Sequence, residues 1–194
     1  MEANKHFPGT TITTDTVNRR KAEEVLGHIF AGGDIYRSQV TALTGIEQHS
    51  IQNWVARGFV SHPKNKQYSK RQLCRLIIIN LLSDTLKIGD ITDMLSYVNG
   101  NLSDEGDDTI PDDVLYGCFA EMCQLNEGDC IIERIEETSI SVTDELTYLG
   151  DEDRKKVAEV LRTMIYAYRS AEMNKVAHTF LDKIKNNRNI INKL

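Results

Sequence analysis

A chain of 194 residues with 40% hydrophobic and 27% charged residues is long enough to bury a real core and has the composition of an ordinary soluble protein. Its longest apolar run, Leu76-Ile77-Ile78-Ile79, stops at Asn80 and falls far short of the roughly 18 residues a membrane helix needs, so a soluble, cytoplasmic protein is expected. The net charge of -6 excludes a uniformly basic protein, but the charge is unevenly distributed. Residues 1–83 hold 11 Lys/Arg against 6 Asp/Glu, residues 84–153 hold 2 against 20, and residues 154–194 hold 10 against 3. A basic head on an acidic middle is compatible with nucleic acid, since only the contacting face must meet phosphate.

Residues 1–16 lack an apolar signal core and are expected to form a flexible arm. From Val17 to Phe30, Ala22, Val25, Leu26, Ile29 and Phe30 recur with a helical period that ends at Gly32-Gly33. The next segment reads as helix, turn, helix. Val40 and Leu43 share a face, Gly45 is free to take positive φ, and Ile46 turns inward. A second short helix then buries Ile51, Trp54 and Val55. In such a pair the first helix braces the second, which lies in the DNA major groove. Its outward positions are Gln48, His49, Gln52 and Asn53, with Arg57 just past the end. Gln and Asn can pair two-pronged with adenine, each good pair discriminating by roughly 1–3 kcal/mol. A merely solvated outer face would show the same pattern.

After this helix, Phe59 and Val60 are expected to pair as a strand with a return strand closing at Tyr68, making a small β wing with Lys64 and Lys66 at its tip. Ser69 and Gln72 form a capping box flanked by Tyr68 and Leu73, so a helix starts at Lys70. Lys70, Arg71 and Arg75 near that start oppose the helix dipole, which suggests an anion to bind, and a DNA phosphate is the expected one.

Asn99 to Asp113 is a loop rich in Asp, Gly and Asn whose spacing does not fit a calcium loop. Helical stripes follow at 113–125 (Leu115, Phe119, Met122, Leu125) and 130–137 (Ile131, Ile132, Ile135). The acidic middle as a whole reads as a solvated surface. From Asp151 to about Lys185, Val157, Leu161, Met164 and Tyr168 follow one heptad seam; Met173, Ala177, Phe180 and Ile184 follow another. The seams lose register at Ser170-Ala171-Glu172, as a stutter in one helix or a break between two. Cys74, Cys118, Cys123 and Cys130 make no Cys-x-x-Cys pair, and neither a phosphate loop nor a nucleophile elbow is present, so no metal, cofactor or enzyme activity is expected. Five tyrosines of the second half, Tyr97, Tyr116, Tyr148, Tyr166 and Tyr168, read as core or interface residues or as the lining of an effector pocket.

The order of helix, turn, helix, Gly58-Phe59-Val60, wing, Tyr68-Ser69, helix and then Ile88-Gly89-Asp90-Ile91-Thr92-Asp93-Met94-Leu95 resembles the head of MerR-type transcription regulators. More closely, the stretch from about Arg19 to the last helix is similar to a bacterial family, domain of unknown function 1836, predicted to carry a MerR-like helix-turn-helix. Ser-Gln-Val-Thr-x-x-Thr-Gly from Ser38, Ile-Gln-Asn-Trp-Val from Ile51 and Tyr-Ser-Lys-x-Gln-Leu from Tyr68 carry that likeness. Gln52 and Asn53 stand where MerR heads usually have an Arg-Tyr pair, Glu47 replaces a small polar cap, and the wing is short. The resemblance implies DNA-binding transcription regulation and pairing of two subunits through the long last helix, although that helix could equally pack within its own subunit.

Together these give an all-α protein with a MerR-like winged helix-turn-helix (residues 17–100) and a C-terminal helical domain for dimerisation or effector binding (residues 101–194). Double-stranded DNA and a second copy of the chain are the expected partners. Gln48, His49, Gln52 and Asn53 would read bases; Arg57, Lys64, Lys66, Lys70, Arg71 and Arg75 would hold phosphates. The alternative is a protein-interaction adaptor whose head no longer binds DNA.

Overall fold

The computed structural model describes residues 5–100, 102, 106–126 and 132–191, with side chains described through residue 186. Among these the protein is mostly helical, as expected of an all-α chain. Its helices are α1 (Arg19–Ile29), α2 (Arg37–Thr44), α3 (Gln48–Ala56), α4 (Lys70–Leu82), α5 (Ile88–Asn99), α6 (Asp112–Leu125), α7 (Ile132–Asp144) and α8 (Asp151–Ile191). The strands β1 (Lys5–His6), β2 (Thr13–Thr14), β3 (Ile35–Tyr36) and β4 (Gln67–Tyr68) are two residues each. No helix among the described residues is long and apolar enough to cross a membrane.

Helix α4 organises the packing because it is apolar nearly all round. Leu73, Cys74, Leu76, Ile77, Ile78, Ile79 and Leu82 are all buried, as befits a helix with neighbours on every side. Its start is set by the capping box: Ser69 Oγ accepts from the Gln72 N–H at 3.3 Å, and Gln72 Oε1 accepts from the Ser69 N–H at 2.9 Å. Against it pack α5, α6 and α8, while α6 also carries α1 and α7. One hydrophobic core runs from Val40, Ile51, Trp54 and Val55 through α4 to Leu161 and Ile165. Buried residues from both sides of residue 100 thus belong to one core.

Three local expectations are corrected. Residues 5–16, expected as a flexible arm, form a packed hairpin in which β1 pairs with β2. Phe7 is buried beside Ala22 and Ala120, the Thr11 N–H donates to the Leu43 carbonyl at 2.8 Å, and the Tyr116 hydroxyl donates to the Pro8 carbonyl at 2.9 Å. Next, β4 pairs with β3 ahead of α2, so Phe59 and Val60 are not its strand partners. Those two residues turn inward: Val60 is buried and Phe59 packs on the core. Last, α7 runs on to Asp144, well past the expected Glu137; Cys130 and Ile131 of that expectation lie outside the described residues.

The last helix is continuous through Ser170-Ala171-Glu172, so the change of register is a stutter. It has two regimes. Val157, Leu161, Met164 and Ile165 are fully buried in the body of the same chain, whereas every described residue from Met173 to Asn186 is exposed.

The hairpin strap depends on Gly9, whose φ is +71° and whose missing Cβ would lie 2.8 Å from Ile77 Cγ2 and 2.9 Å from Leu81 Cγ. Gly9→Ala thus faces both a strained backbone and an overfilled contact, and should cost roughly 1–3 kcal/mol in denaturant unfolding. A strap only loosely laid on the body would tolerate it.

Candidate nucleic-acid interface

The turn between α2 and α3 rests on Gly45, in the left-handed region at φ +72°, whose N–H closes α2 by donating to the Thr41 carbonyl at 2.8 Å. From there α3 buries Ile51, Trp54 and Val55 on one side. Gln48, His49, Gln52, Asn53 and Arg57 are all exposed, so the structure brings the expected base-reading residues onto one open face with Arg57 at its end. Arg57 lies over the Phe59 ring at 4.8 Å, a cation–π contact that still leaves its donors toward solvent.

Two contacts modify that face. His49 Nδ1 lies 2.9 Å from a Glu47 carboxylate oxygen, placing an acid at the start of α3. Gln52, with its amide turned so that Oε1 faces α2, accepts from both terminal nitrogens of Arg37. With both lone pairs of that oxygen engaged, only its amide N–H groups remain for another partner. Sequence periodicity missed Arg37, which lies outside α3; only the three-dimensional approach of α2 to α3 brings Arg37 to Gln52.

Lys64 to Gln67 make a tight turn, closed by the Gln67 N–H donating to the Lys64 carbonyl at 2.9 Å. Both central residues, Asn65 at φ +51° and Lys66 at φ +64°, are left-handed, the pattern of the mirror-image turn that suits hairpins. Asn accepts this conformation readily, but lysine does not. Lys64 and Lys66 both project into solvent.

The cations at the start of α4 behave differently: each of the three expected to hold a phosphate is paired with an aspartate. Arg75 is only 3% exposed: its Nε donates to the Phe59 carbonyl at 3.0 Å and its Nη1 lies 3.3 Å from Asp112 Oδ1. Arg71 Nη1 is 2.6 Å from Asp108, and Lys70 Nζ is 2.6 Å from Asp113. The anion sought by this helix start is thus supplied from the start of α6 and the loop before it. Asp112 and Asp113 also sit favourably at the positive end of α6. They are a structural part of the acidic middle, which is not solvated throughout.

Asp112 is nearly buried, and that burial pushes its carboxyl up to about 6 in spite of the neighbouring Arg75. It also accepts from Asn99 Nδ2 at 2.8 Å, so one carboxylate joins α4, α5 and α6. Beside this group a polar cleft of about 260 Å³ opens between the wing and α4, lined among others by His62, Lys64, Arg71, Arg75, Asn99 and Asp112.

A family described as Domain of unknown function (DUF1836) has a model that matches residues 32–119. That segment is similar to the DUF1836 family. The match runs from just before β3 to the middle of α6, so it takes in the α2–α3 pair, the β3–β4 turn, the whole of α4 and α5, and the aspartates that pair with α4. No curated protein and no solved structure matches the chain.

The remaining expectations concern thiols and tyrosines. Burial pushes the Cys118 thiol up to about 11 and raises Cys74 and Cys123 as well, which disfavours the reactive thiolate at all three. Among the described residues no cluster of three or more His, Cys, Asp or Glu is arranged to hold a metal. The five tyrosines do not gather into a pocket: Tyr97, Tyr148 and Tyr166 are exposed, Tyr116 is buried, and Tyr168 packs edge-on to Phe119.

Because Asp112 titrates higher in the folded chain than the ordinary 3.8, its stabilising contribution is complete below about pH 4 and is lost as pH rises through about 6. The native chain should therefore lose stability relative to Asp112→Asn between those values; parallel urea midpoints would contradict this. Arg75→Met alone should cost roughly 3–5 kcal/mol by leaving a carboxylate without its counter-charge, and adding Asp112→Leu should restore much of it.

Proposed function

We propose that this protein binds duplex DNA sequence-specifically as a transcription regulator, with a MerR-like winged helix-turn-helix made by α2, α3 and the β3–β4 turn. Helix α3 enters the major groove; Gln48, His49, Gln52 and Asn53 meet base edges, while Arg57, Lys64 and Lys66 meet phosphates. Lys70 and Arg71 contribute less, being held by Asp113 and Asp108, and Arg75 contributes nothing directly.

The observation that carries this reading is Lys66. A left-handed lysine costs about 1 kcal/mol or more over glycine, and among the described residues the Lys66 side chain is exposed. Its position at the tip of an exposed turn, with Lys64 at the other end of that turn and Arg57 on the neighbouring helix, is one that a phosphate contact explains. Replacing Lys64 and Lys66 with Ala should weaken binding to all DNA sequences alike and lower the salt slope by about 1–2 units. Gln52→Ala should instead relax preference at a single position among sequences selected from random duplexes. Failure to select any sequence would favour the adaptor reading, which draws on the cations of α4 being already occupied.

The reading includes a homodimer through the exposed end of α8. Met173, Ala177, Phe180 and Ile184 alternate by four and three residues, and Met173, Phe180 and Ile184 are each at least 60% exposed. Val176 and Leu181 widen the stripe. Such a seam is complementary to a copy of itself. Phe180→Asp with Ile184→Asp should give the mass of a monomer without loss of helix content, as read by light scattering and circular dichroism. A native chain that is monomeric at high concentration would end the dimer claim.

A further inference from the structure

Gln52 lies on the exposed face of α3, yet half of its amide is already taken. Its Oε1 accepts from Arg37 Nη1 at 2.5 Å and from Nη2 at 3.3 Å. A guanidinium carries five donors and no acceptor, so the amide cannot turn its NH2 toward α2 without setting donor against donor. Hydrogen bonds from a charged donor are also roughly twice as strong as neutral ones. Arg37, the first residue of α2, is itself half-buried with its Nε enclosed, and so holds its place. The orientation of an exposed glutamine is thus fixed from the neighbouring helix.

That orientation decides what α3 offers to a base. A free glutamine pairs two-pronged with adenine, giving an N–H to N7 and accepting one from N6. With both lone pairs engaged, Gln52 has only N–H donors left. In the major groove guanine presents two adjacent acceptors, N7 and O6. The N6 group of adenine and the N4 group of cytosine are donors that oppose an NH2, and thymine offers the single acceptor O4. We propose that Arg37 is a specificity-determining residue: by capturing the Gln52 oxygen, it turns Gln52 from an adenine reader into a guanine reader. Arg37 acts through Gln52 as a positioning residue, and the inference rests on the DNA-binding reading.

Two measurements on the full chain test this. Without DNA, NMR relaxation of the Gln52 side-chain amide should show an ordered group in the native chain and a mobile one in Arg37→Met. Equal mobility in the two would overturn the proposal. With DNA, sequences selected from random duplexes should carry guanine at the position that Gln52→Ala makes indifferent, preferred about tenfold over adenine. Arg37→Met should move that preference to adenine and leave the other positions of the site unchanged. Gln52→Glu keeps an acceptor for Arg37 and directs a carboxylate oxygen outward, so it should select cytosine there, which decides the matter even where Arg37→Met fails to fold. Adenine in the native selection would overturn the proposal, and so would a position that turns indifferent in Arg37→Met, since Arg37 would then be the reader. Either result, in a well-defined site, marks failure of this proposal alone. Selection of no sequence at all marks failure of the DNA-binding reading, and overturns the proposal with it.

Discussion

The guanidinium of Arg75 is the point on which the arrangement of the two halves turns. It reaches the Phe59 carbonyl just after α3, lies against Asp112 at the start of α6, and through that carboxylate is connected to Asn99 at the end of α5. Desolvating two charges costs several kcal/mol per ion, and their attraction offsets this only when the remaining hydrogen-bonding groups are also satisfied. Here Arg75 has a carbonyl and a carboxylate, while Asp112 has an arginine and an amide. An apolar core of equal volume would hold the same helices together without fixing their angle. The polar group demands one geometry, and so ties the residue after α3 to the start of α6.

What could be read from the sequence is what is local. The α4 start was legible because a capping box lies within four residues, and the buried side of α3 because Ile51, Trp54 and Val55 fall on one turn. The cations at that start were also correctly legible as groups needing an anion. Which anion was not legible, because Asp112 is 37 residues away from Arg75 and reaches it only after α5 has folded back. The strand partner of β4 was hidden for the same reason: Ile35 and Tyr36 precede α2, and a two-residue strand has no period to recognise. The packed N-terminal hairpin gave little more signal, since its hold on the body comes from single residues such as Phe7 and Gly9.

Helix α8 shows the limit of periodicity from another side. Leu161 and Ile184 belong to seams of the same spacing, yet one is fully buried in its own chain and the other is 65% exposed. Amphipathicity states that a face seeks cover; it does not state whose. The difference comes from length, because a helix running at about 1.5 Å per residue outreaches the compact body that covers its first half. Beyond that point the same apolar pattern is exposed among the described residues.

The charge economy of the head bears directly on how a DNA-binding face would have to work. With Lys70, Arg71 and Arg75 held by aspartates, the expected phosphate contacts left open are Arg57, Lys64 and Lys66. At about -0.9 in the salt slope per phosphate neutralised, three contacts give a slope near -3, modest for a specific regulator. Glu47 at the start of α3 weakens the local field further. Affinity from a single head would then be low, and base contacts would carry an unusual share of it. Two heads joined through α8 would roughly double the electrostatic contribution and make the second contact intramolecular, so tight binding by such a face would require pairing.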